Sequence, residues 1–484
     1  MELFWHLMSR MSQVFFFALI LPFLLACRLR EWEPAGAILI TGFLSTAAAW
    51  EFALRARRRE RRGQMTLREG AMFMVLVWFL LGGLGMLPFL LSGMTQSIPA
   101  AFLESISALT TTGLPAATLT REGWPWSLLL WHSIMSWLGG FGFVVILVTV
   151  MPQVSGCFGV TLSARQMISF SPIWQRMRTS IRQGAALYVV LTLLAVLAFY
   201  LAGLPLGRSM VVAMLTISSG ADAWTLDFAS MPGSVWLAAG TVMLLGSLNL
   251  LLLWKSWKRR SLSLLVRDTE LQFFLLMLLW ATLLVVLNLS VSGFYQPVEA
   301  LKMGFFQVLS FASTSGLAVT TFWEWPGFEK YVLLIMCFAG GCMGSPTGGL
   351  KMVRLLVLNR LLDLGLRNAL HPNMVPVVKL DGLAVEEKVV GRMLSFFFLY
   401  ILTFVFFALL LSITGISLLQ SAGYAAACLT SNSSAALLYG GPGAAALPGW
   451  SQLLMALLMI VGRIEVFSFI LLAGFTVESI KERW

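Results

Sequence analysis

Long apolar stretches with no Asp, Glu, Lys or Arg recur along this chain: Ala71–Ser92, Leu128–Met151, Ala185–Ala202 and Ser395–Ile413. Each is near or above the ~18–20 residues that carry a helix across hydrocarbon. No water is available there, so backbone groups must be satisfied within helices or closed barrels. The alternating pattern of barrel strands is absent. The expected fold is therefore an all-α integral membrane protein. Composition agrees, at 58% hydrophobic and 11% charged over 484 residues, against roughly 25% charged for a soluble domain.

The formal net charge is +11. In a soluble chain that surplus would suggest nucleic acid. Here the basic residues stand in blocks between apolar segments, as the positive-inside bias arranges them, and no nucleic-acid partner is expected. The strongest block is Arg55-Ala56-Arg57-Arg58-Arg59-Glu60-Arg61-Arg62. Others hold Arg165, Arg176, Arg178 and Arg182; Lys255, Lys258, Arg259 and Arg260; Arg360 and Arg367; and Lys481 and Arg483. All fall on one side when the spans alternate direction. Both termini are then cytoplasmic, in a multi-pass protein of the cell inner (plasma) membrane with lipids around it. Cys27, Cys157, Cys337, Cys342 and Cys428 show no zinc-like spacing and read as small packing residues. Leu24-Leu25-Ala26-Cys27 has the form of a lipoprotein cleavage site, but an uncleaved first helix is the expectation.

Four hydroxyl-rich runs punctuate the apolar segments. They are Thr110-Thr111-Thr112-Gly113, Ile217-Ser218-Ser219-Gly220, Ser313-Thr314-Ser315-Gly316 and Ser431-Asn432-Ser433-Ser434. Their last residues lie 107, 96 and 118 positions apart, a fourfold repeat of loose period. Each follows an apolar segment too short to span: 99–110, 208–217, 299–312 and 419–430. Longer segments flank each unit: 71–92 and 126–151, 184–203 and 232–254, 271–292 and 330–358, 391–413 and 450–475. Helices over 13–27 and 35–54 come first. The expected division is 1–62 for the N-terminal pair, then pore repeats 63–183, 184–268, 269–385 and 386–484, with about twelve transmembrane helices in all. Residues 368–390, with Asp381, Glu386, Glu387 and Lys388, read as a solvated connection.

A helix that stops inside the membrane leaves its last carbonyls unpaired, so its end must line a cavity. Helix C-termini each carry about half a negative charge, and four around one axis attract a cation. Beyond them, extended runs can aim backbone oxygens at the axis and replace the hydration shell of a potassium ion. Gly113, Gly220 and Gly316 suit the backbone conformations this needs, and Thr110–Thr112 add side-chain oxygens. One such run alone reads as a turn; four in register read as a selectivity filter.

These residues resemble the Trk/Ktr/HKT superfamily of potassium transporters, and within it the TrkH-type translocating subunit. Ser107–Leu114 is similar to the first family filter, and Ser310-Phe311-Ala312-Ser313-Thr314-Ser315-Gly316-Leu317 to the third. Trp137-Leu138-Gly139-Gly140-Phe141-Gly142 resembles the helix after the first filter, and Gly462-Arg463-Ile464-Glu465 the fourth inner helix. Gly340-Gly341-Cys342-Met343-Gly344-Ser345-Pro346-Thr347-Gly348-Gly349-Leu350-Lys351 resembles the broken third inner helix. The resemblance implies potassium uptake through one chain, a homodimer, and a cytoplasmic nucleotide-binding (RCK/TrkA-type) regulatory ring. It implies that Gly340, Gly341, Gly344, Ser345, Pro346, Thr347, Gly348 and Gly349 form an intramembrane gate. The glycines and Pro346 independently preclude a regular helix there. Arg463, deep in an apolar helix, is a functional candidate by default, and the resemblance makes it a barrier to cations below the filter. A structural pair with Glu465 is the competing reading. Lys351 is placed near the inner mouth, with a snorkelling role as the alternative.

The fourth run departs from the family's Asn-x-Gly-Pro, since Asn432-Ser433-Ser434-Ala435 lacks Gly-Pro. A relaxed K⁺/Na⁺ discrimination, or a non-conducting accessory subunit, are the alternatives this motivates. Asp222 and Asp227, after the second run, could gather cations or be ordinary loop acids. A membrane enzyme is not expected. Glu104 and Glu299 read as acids near the starts of half-helices, where the dipole favours them. His6, His132 and His371 form no catalytic motif, and no phosphate loop exists. No bound cofactor is implied; K⁺ is the transported ion.

Overall fold

The computed structural model describes residues 2–57, 67–116, 123–149, 173–221, 228–371, 378–380, 383–385, 387–464, 466 and 469. Arg58, Arg59, Glu60, Arg61, Arg62, Cys157, Arg165, Asp222, Asp227, Asp381, Glu386, Glu465, Lys481 and Arg483 lie outside the described residues.

Helices α1 (Glu2–Leu29) and α2 (Trp32–Arg57) fold back on each other. Small hydroxyls stitch them: Ser9 Oγ donates to Ala49 O at 2.7 Å and Ser45 Oγ to Ser12 O at 2.8 Å. Cys27 lies within α1. Glu31, in the turn between them, accepts from Trp126 N at 2.9 Å and Ser127 N at 3.1 Å. Those are orphan amides of a later helix start, so the leading pair is pinned to the first repeat.

The first repeat is α3 (Leu67–Gly85), the short α4 (Leu87–Leu91), half-helix α5 (Ile98–Leu109) and inner helix α6 (Trp126–Thr149). The second is α7 (Ile173–Leu201), half-helix α8 (Leu206–Ile217), α9 (Gly233–Ser247) and α10 (Leu250–Arg259). After the one-turn α11 (Ser263–Val266) come α12 (Thr269–Val291), half-helix α13 (Pro297–Ala312), α14 (Gly327–Ala339) and α15 (Met352–Leu370). A two-stranded hairpin, β1 (Lys379–Leu380) with β2 (Leu383–Ala384), precedes α16 (Glu387–Ser412), half-helix α17 (Leu418–Thr430) and α18 (Gly449–Arg463).

Half-helix starts are marked by polar caps and proline. Ser97 accepts from Ala100 N ahead of Pro99, and Ser417 forms a reciprocal capping box with Gln420. At 12, 12, 16 and 13 residues these helices are about 18–24 Å long, short of the ~30 Å hydrocarbon core. Among the described residues six helices are long and apolar enough to cross a membrane: the leading pair and the outer helix of each repeat. The inner helices differ. The expected continuous segment 232–254 bends by 97° between α9 and α10. Leu248 is extended there, and Asn249 caps the second piece by accepting from Leu251 N and Leu252 N. The third inner helix is broken between Ala339 and Met352.

Each inner helix packs against the next repeat's half-helix: α6 on α8, α9 on α13, α14 on α17, and α18 back on α5. That order closes a ring, so repeats 1 and 3 face each other, as do 2 and 4. Glycines permit the close approach of inner helix to half-helix end. A Cβ on Gly139 would overlap Leu109 O and one on Gly462 would overlap Leu429 O, while on Gly246 it would lie 3.3 Å from Ile217 O.

Candidate functional site

The four half-helices end in the same turn. One residue adopts a left-handed conformation: Thr111 (φ 58), Ser219 (φ 60), Thr314 (φ 52) and Ser431 (φ 56). The next amide returns to the carbonyl five residues earlier. The bonds are Thr112 N to Ser107 O (2.8 Å), Gly220 N to Leu215 O (2.9 Å), Ser315 N to Ser310 O (3.0 Å) and Asn432 N to Ala427 O (3.0 Å). This is the Schellman pattern, in which glycine usually takes the left-handed place. Here a hydroxyl residue takes it every time, at a strain of roughly 1–2 kcal/mol each.

The turn fixes the register of the runs. The residue two after the left-handed one is Gly113, Ala221, Gly316 and Ser433 in repeats 1 to 4. Two sequence alignments are thereby corrected by one position. Gly220 matches Thr112, not Gly113, and Ser434 lies one beyond the match to Gly316. Gly220 is glycine for another reason: a Cβ there would overlap Ser136 Oγ and lie 3.0 Å from Thr111 Cα. Ile217 is the last residue of α8, and Thr430 joins Thr110, Ser218 and Ser313 at the half-helix ends.

The runs meet. A Cβ on Gly113 would overlap Ala221 O, and Asn432 Nδ2 reaches Phe311 O at 3.5 Å. Ser434 Oγ donates to Gly316 O at 2.7 Å and Ser433 Oγ to Ala221 O at 3.3 Å. The fourth run differs in backbone, passing into a 3-10 helix over Ser433–Leu437. Hydroxyls at the half-helix ends point back along their own helices. Thr110 Oγ1 donates to Ile106 O at 2.7 Å and Thr430 Oγ1 to Ala426 O at 2.7 Å.

Against the filter lies the loop between α14 and α15. Gly340, Gly344, Gly349 and Lys351 have positive φ, of 69, 82, 75 and 72. Gly348 N donates to Thr314 Oγ1 at 2.9 Å, so the loop hangs from a filter hydroxyl. A Cβ on Gly348 would overlap Thr430 O, and one on Gly341 would lie 2.8 Å from Thr347 Oγ1. The broken second inner helix holds the other side, with Cys342 N donating to Ser247 O (2.9 Å) and Leu250 N to Gly344 O (3.4 Å). Ser345 Oγ bonds Cys342 O and Thr347 Oγ1, each at 2.6 Å.

Both basic residues here work on backbone. Arg463, 2% exposed, donates from Nη1 to Pro346 O at 2.9 Å and from Nη2 to Gly139 O at 3.4 Å. It thus joins the loop to the first inner helix. Lys351 does not snorkel to a surface. It is buried, and its ammonium binds Ser345 O, Thr347 O and Thr347 Oγ1, because the loop's own carbonyls supply the acceptors.

Glu104 was misplaced by the sequence. It sits in the body of α5, fully buried, not at its start. Its Oε2 accepts from Ala116 N at 2.6 Å, and its Oε1 lies 3.3 Å from His132 Nε2 on α6. A carboxylate behind the first run thus holds the strand that leaves it. Seven residues before each left-handed residue stand Glu104, Val212, Gln307 and Tyr424, and Tyr424 OH similarly donates to Pro442 O. Glu299, by contrast, lies exposed in the first turn of α13.

The family model described as "TrkH: Cation transport protein" matches residues 37–482. The chain belongs to the TrkH family of cation transport proteins. The Trk system potassium uptake protein TrkH of Salmonella typhimurium is 31% identical over 473 residues, covering 94% of each chain. The Escherichia coli K12 TrkH is 31% identical over 434 residues, covering 86% of each. The crystal structure of the potassium transporter TrkH from Vibrio parahaemolyticus superposes with a TM-score of 0.86 at 26% identity, covering 97% of this chain and 98% of that one. The TrkH-family chain described here is thus a multi-pass membrane protein of a transporter family, not an enzyme. Of the residues singled out on the TrkH resemblance, the runs, the loop and Arg463 are brought together.

Proposed function

We propose that this chain takes up potassium across the bacterial inner membrane through the four converging runs. Filter oxygens come from Thr110–Gly113, Ile217–Ala221, Ser313–Gly316 and Ser431–Ser434, with K⁺ as cargo. The loop from Gly340 to Gly349 is the gate, and Arg463, which grips Pro346 O, sets the barrier to cations and latches that gate. Four observations support this reading: the closed ring of half-helices, their C-terminal dipoles aimed inward, the shared turn, and the potassium-uptake relatives.

One observation carries it furthest. Thr111, Ser219, Thr314 and Ser431 hold φ of 52 to 60, where glycine would be unstrained. Strain kept at the same place in four repeats marks a function that needs the hydroxyls. At filter width, side-chain oxygens serve a monovalent cation as carbonyls do.

The protein is proposed to act as a homodimer with cytoplasmic termini, regulated by a nucleotide-binding TrkA-type ring. Ala221 and Ser433, where the neighbouring loops have glycine, favour a second reading within the same class, a K⁺/Na⁺ transporter of relaxed selectivity.

The test is flux of K⁺, Rb⁺ and Na⁺ into proteoliposomes of the purified chain at varied membrane potential. K⁺-selective, potential-dependent uptake is expected, and absence of cation flux overturns the proposal. The variant Thr111→Gly separates strain from role. It should stabilise the protein by about 1 kcal/mol, read as a higher Tm, while K⁺ uptake falls several-fold.

A further inference from the structure

We infer that the stretch joining repeats 2 and 3, α10 with α11, binds anionic phospholipid headgroups, and that this binding acts on the loop between α14 and α15. The second half of the inference rests on the reading of that loop as the gate.

Leu250–Arg267 holds Lys255, Lys258, Arg259, Arg260 and Arg267 and no acid. All five cations are exposed, and among the described residues none of them makes an ion pair. The positive-inside bias accounts for their side of the membrane but not for their arrangement. The 97° bend after α9 stops α10 from continuing across the membrane and turns it along the surface. Leu250, Leu253, Trp254 and Trp257 recur at helical spacing. Leu250 is buried, Leu253 and Trp254 partly so, and Trp257 is exposed, edge-on to Trp254 with ring centroids 5.4 Å apart. Leu262 and Val266 continue the exposed apolar surface. Indole rings favour the boundary between acyl chains and headgroups. A helix along that boundary with unpaired cations beside its rings is matched to a leaflet carrying negative charge.

The same stretch grips the loop from both of its ends. At the near end Cys342 N donates to Ser247 O at 2.9 Å and Leu250 N to Gly344 O at 3.4 Å, and a Cβ on Gly344 would lie 3.0 Å from Asn249 Oδ1. At the far end Glu270, in the first turn of α12, accepts from Met343 N at 2.5 Å. Three consecutive loop residues, Cys342, Met343 and Gly344, are thus tied to a strap whose middle carries the cations. Farther along, the loop is tied to the filter instead, by Gly348 N on Thr314 Oγ1. Headgroups that draw the strap toward the leaflet pull against that bond and loosen the loop from the filter. Without them the filter tether holds.

The experiment uses the full-length protein in phosphatidylcholine vesicles with and without phosphatidylglycerol. One readout is quenching of tryptophan fluorescence by brominated phosphatidylglycerol against brominated phosphatidylcholine. The other is the uptake rate at saturating K⁺, where accumulation of the cation at a charged surface no longer matters. The wild type should be quenched more by the anionic lipid. It should take up K⁺ at least ~3-fold faster with phosphatidylglycerol, a modest share of the attraction of several cations to an anionic surface. The triple variant Lys255→Gln/Lys258→Gln/Arg259→Gln should lose the quenching preference and gain nothing from phosphatidylglycerol. Trp257→Phe should remove most of the preferential quenching. Arg208→Gln, which removes an exposed charge near the start of half-helix α8, should keep the wild-type response. Equal quenching by the two lipids, or equal or slower uptake with phosphatidylglycerol, overturns the inference. So does a triple variant that keeps the lipid preference and departs from wild type only when a TrkA-type regulator is added, because the face would then serve a protein. Failure of the wild type to transport K⁺ in either lipid strikes the parent proposal instead, while the quenching still reads the lipid site.

Discussion

Loops 1 and 3 face each other across the ring and carry glycine at the outermost position, with φ of 72 at Gly113 and 79 at Gly316. Loops 2 and 4 have Ala221 and Ser433 there, and neither has a positive φ. The surroundings divide the same way. A Cβ on Gly113 or Gly316 would strike Ala221 O, so the pair bearing Cβ atoms uses room left by the pair without them. A ring assembled from four similar units thus has twofold, not fourfold, backbone requirements. Strict stereochemistry is concentrated in loops 1 and 3. Loops 2 and 4 are where side chains vary and where selectivity can be tuned.

The sharpest way to break this contrast is Gly316→Ala. The left-handed conformation alone is strained by roughly 1–2 kcal/mol with a Cβ, and the methyl would also press on Ala221 O and Ser433 Oγ. Potassium uptake should fall at least 30-fold while the protein remains monodisperse in detergent, with Gly113→Ala behaving alike. Near-normal uptake in both would remove the distinction between the two pairs.

The tethers behind the loops differ too. Loop 1 is held by Glu104 on Ala116 N and loop 4 by Tyr424 on Pro442 O, whereas loop 2 has Val212 at that place. Glu104→Ala leaves a buried amide unsatisfied, a loss of about 1–3 kcal/mol. Uptake should drop about tenfold and Tm by several degrees. Glu104→Gln should keep both near wild type, because its amide oxygen still accepts from Ala116 N and its NH₂ can donate to His132 once that ring changes tautomer. Equal damage from Gln and Ala would show that charge, not the tether, matters.

The spans and half-helices were legible in the sequence because their signal is length of apolar run, a property no packing detail changes. The loop at 340–351 was legible for a similar reason, since glycine and proline restrict backbone directly. The filter register was not. Glycine identity suggested Gly220 and the family's Asn-x-Gly-Pro pattern suggested Ser434, but register is set by the helix-ending turn, and that turn lies inside a Ser/Thr run whose members look alike. The break at Leu248 and Asn249 was missed although Gly246-Ser247, the kind of pair at which helices kink, immediately precedes it; Asn249, a helix-capping residue amid leucines, was a second clue. Glu104 was read as a helix-start acid although it falls in mid-segment whether the half-helix begins at 98 or 99; its partner, Ala116 N, lies beyond the run and left no sign in the sequence.

The smallest effect belongs to Ala221→Gly, and it probes the contrast from the other side. Ala221 already has an ordinary φ, so glycine relieves no strain there. What changes is the unfolded chain, whose extra freedom lowers stability by about 0.4–1 kcal/mol. The carbonyl that meets Ser433 Oγ belongs to the backbone and stays, so the bond across the axis is kept. Uptake should change less than twofold and the K⁺/Na⁺ ratio should hold. A large gain in selectivity on restoring glycine at this one corner would mean that the ring depends on four equal members after all, and that the twofold division of the loops carries no functional weight.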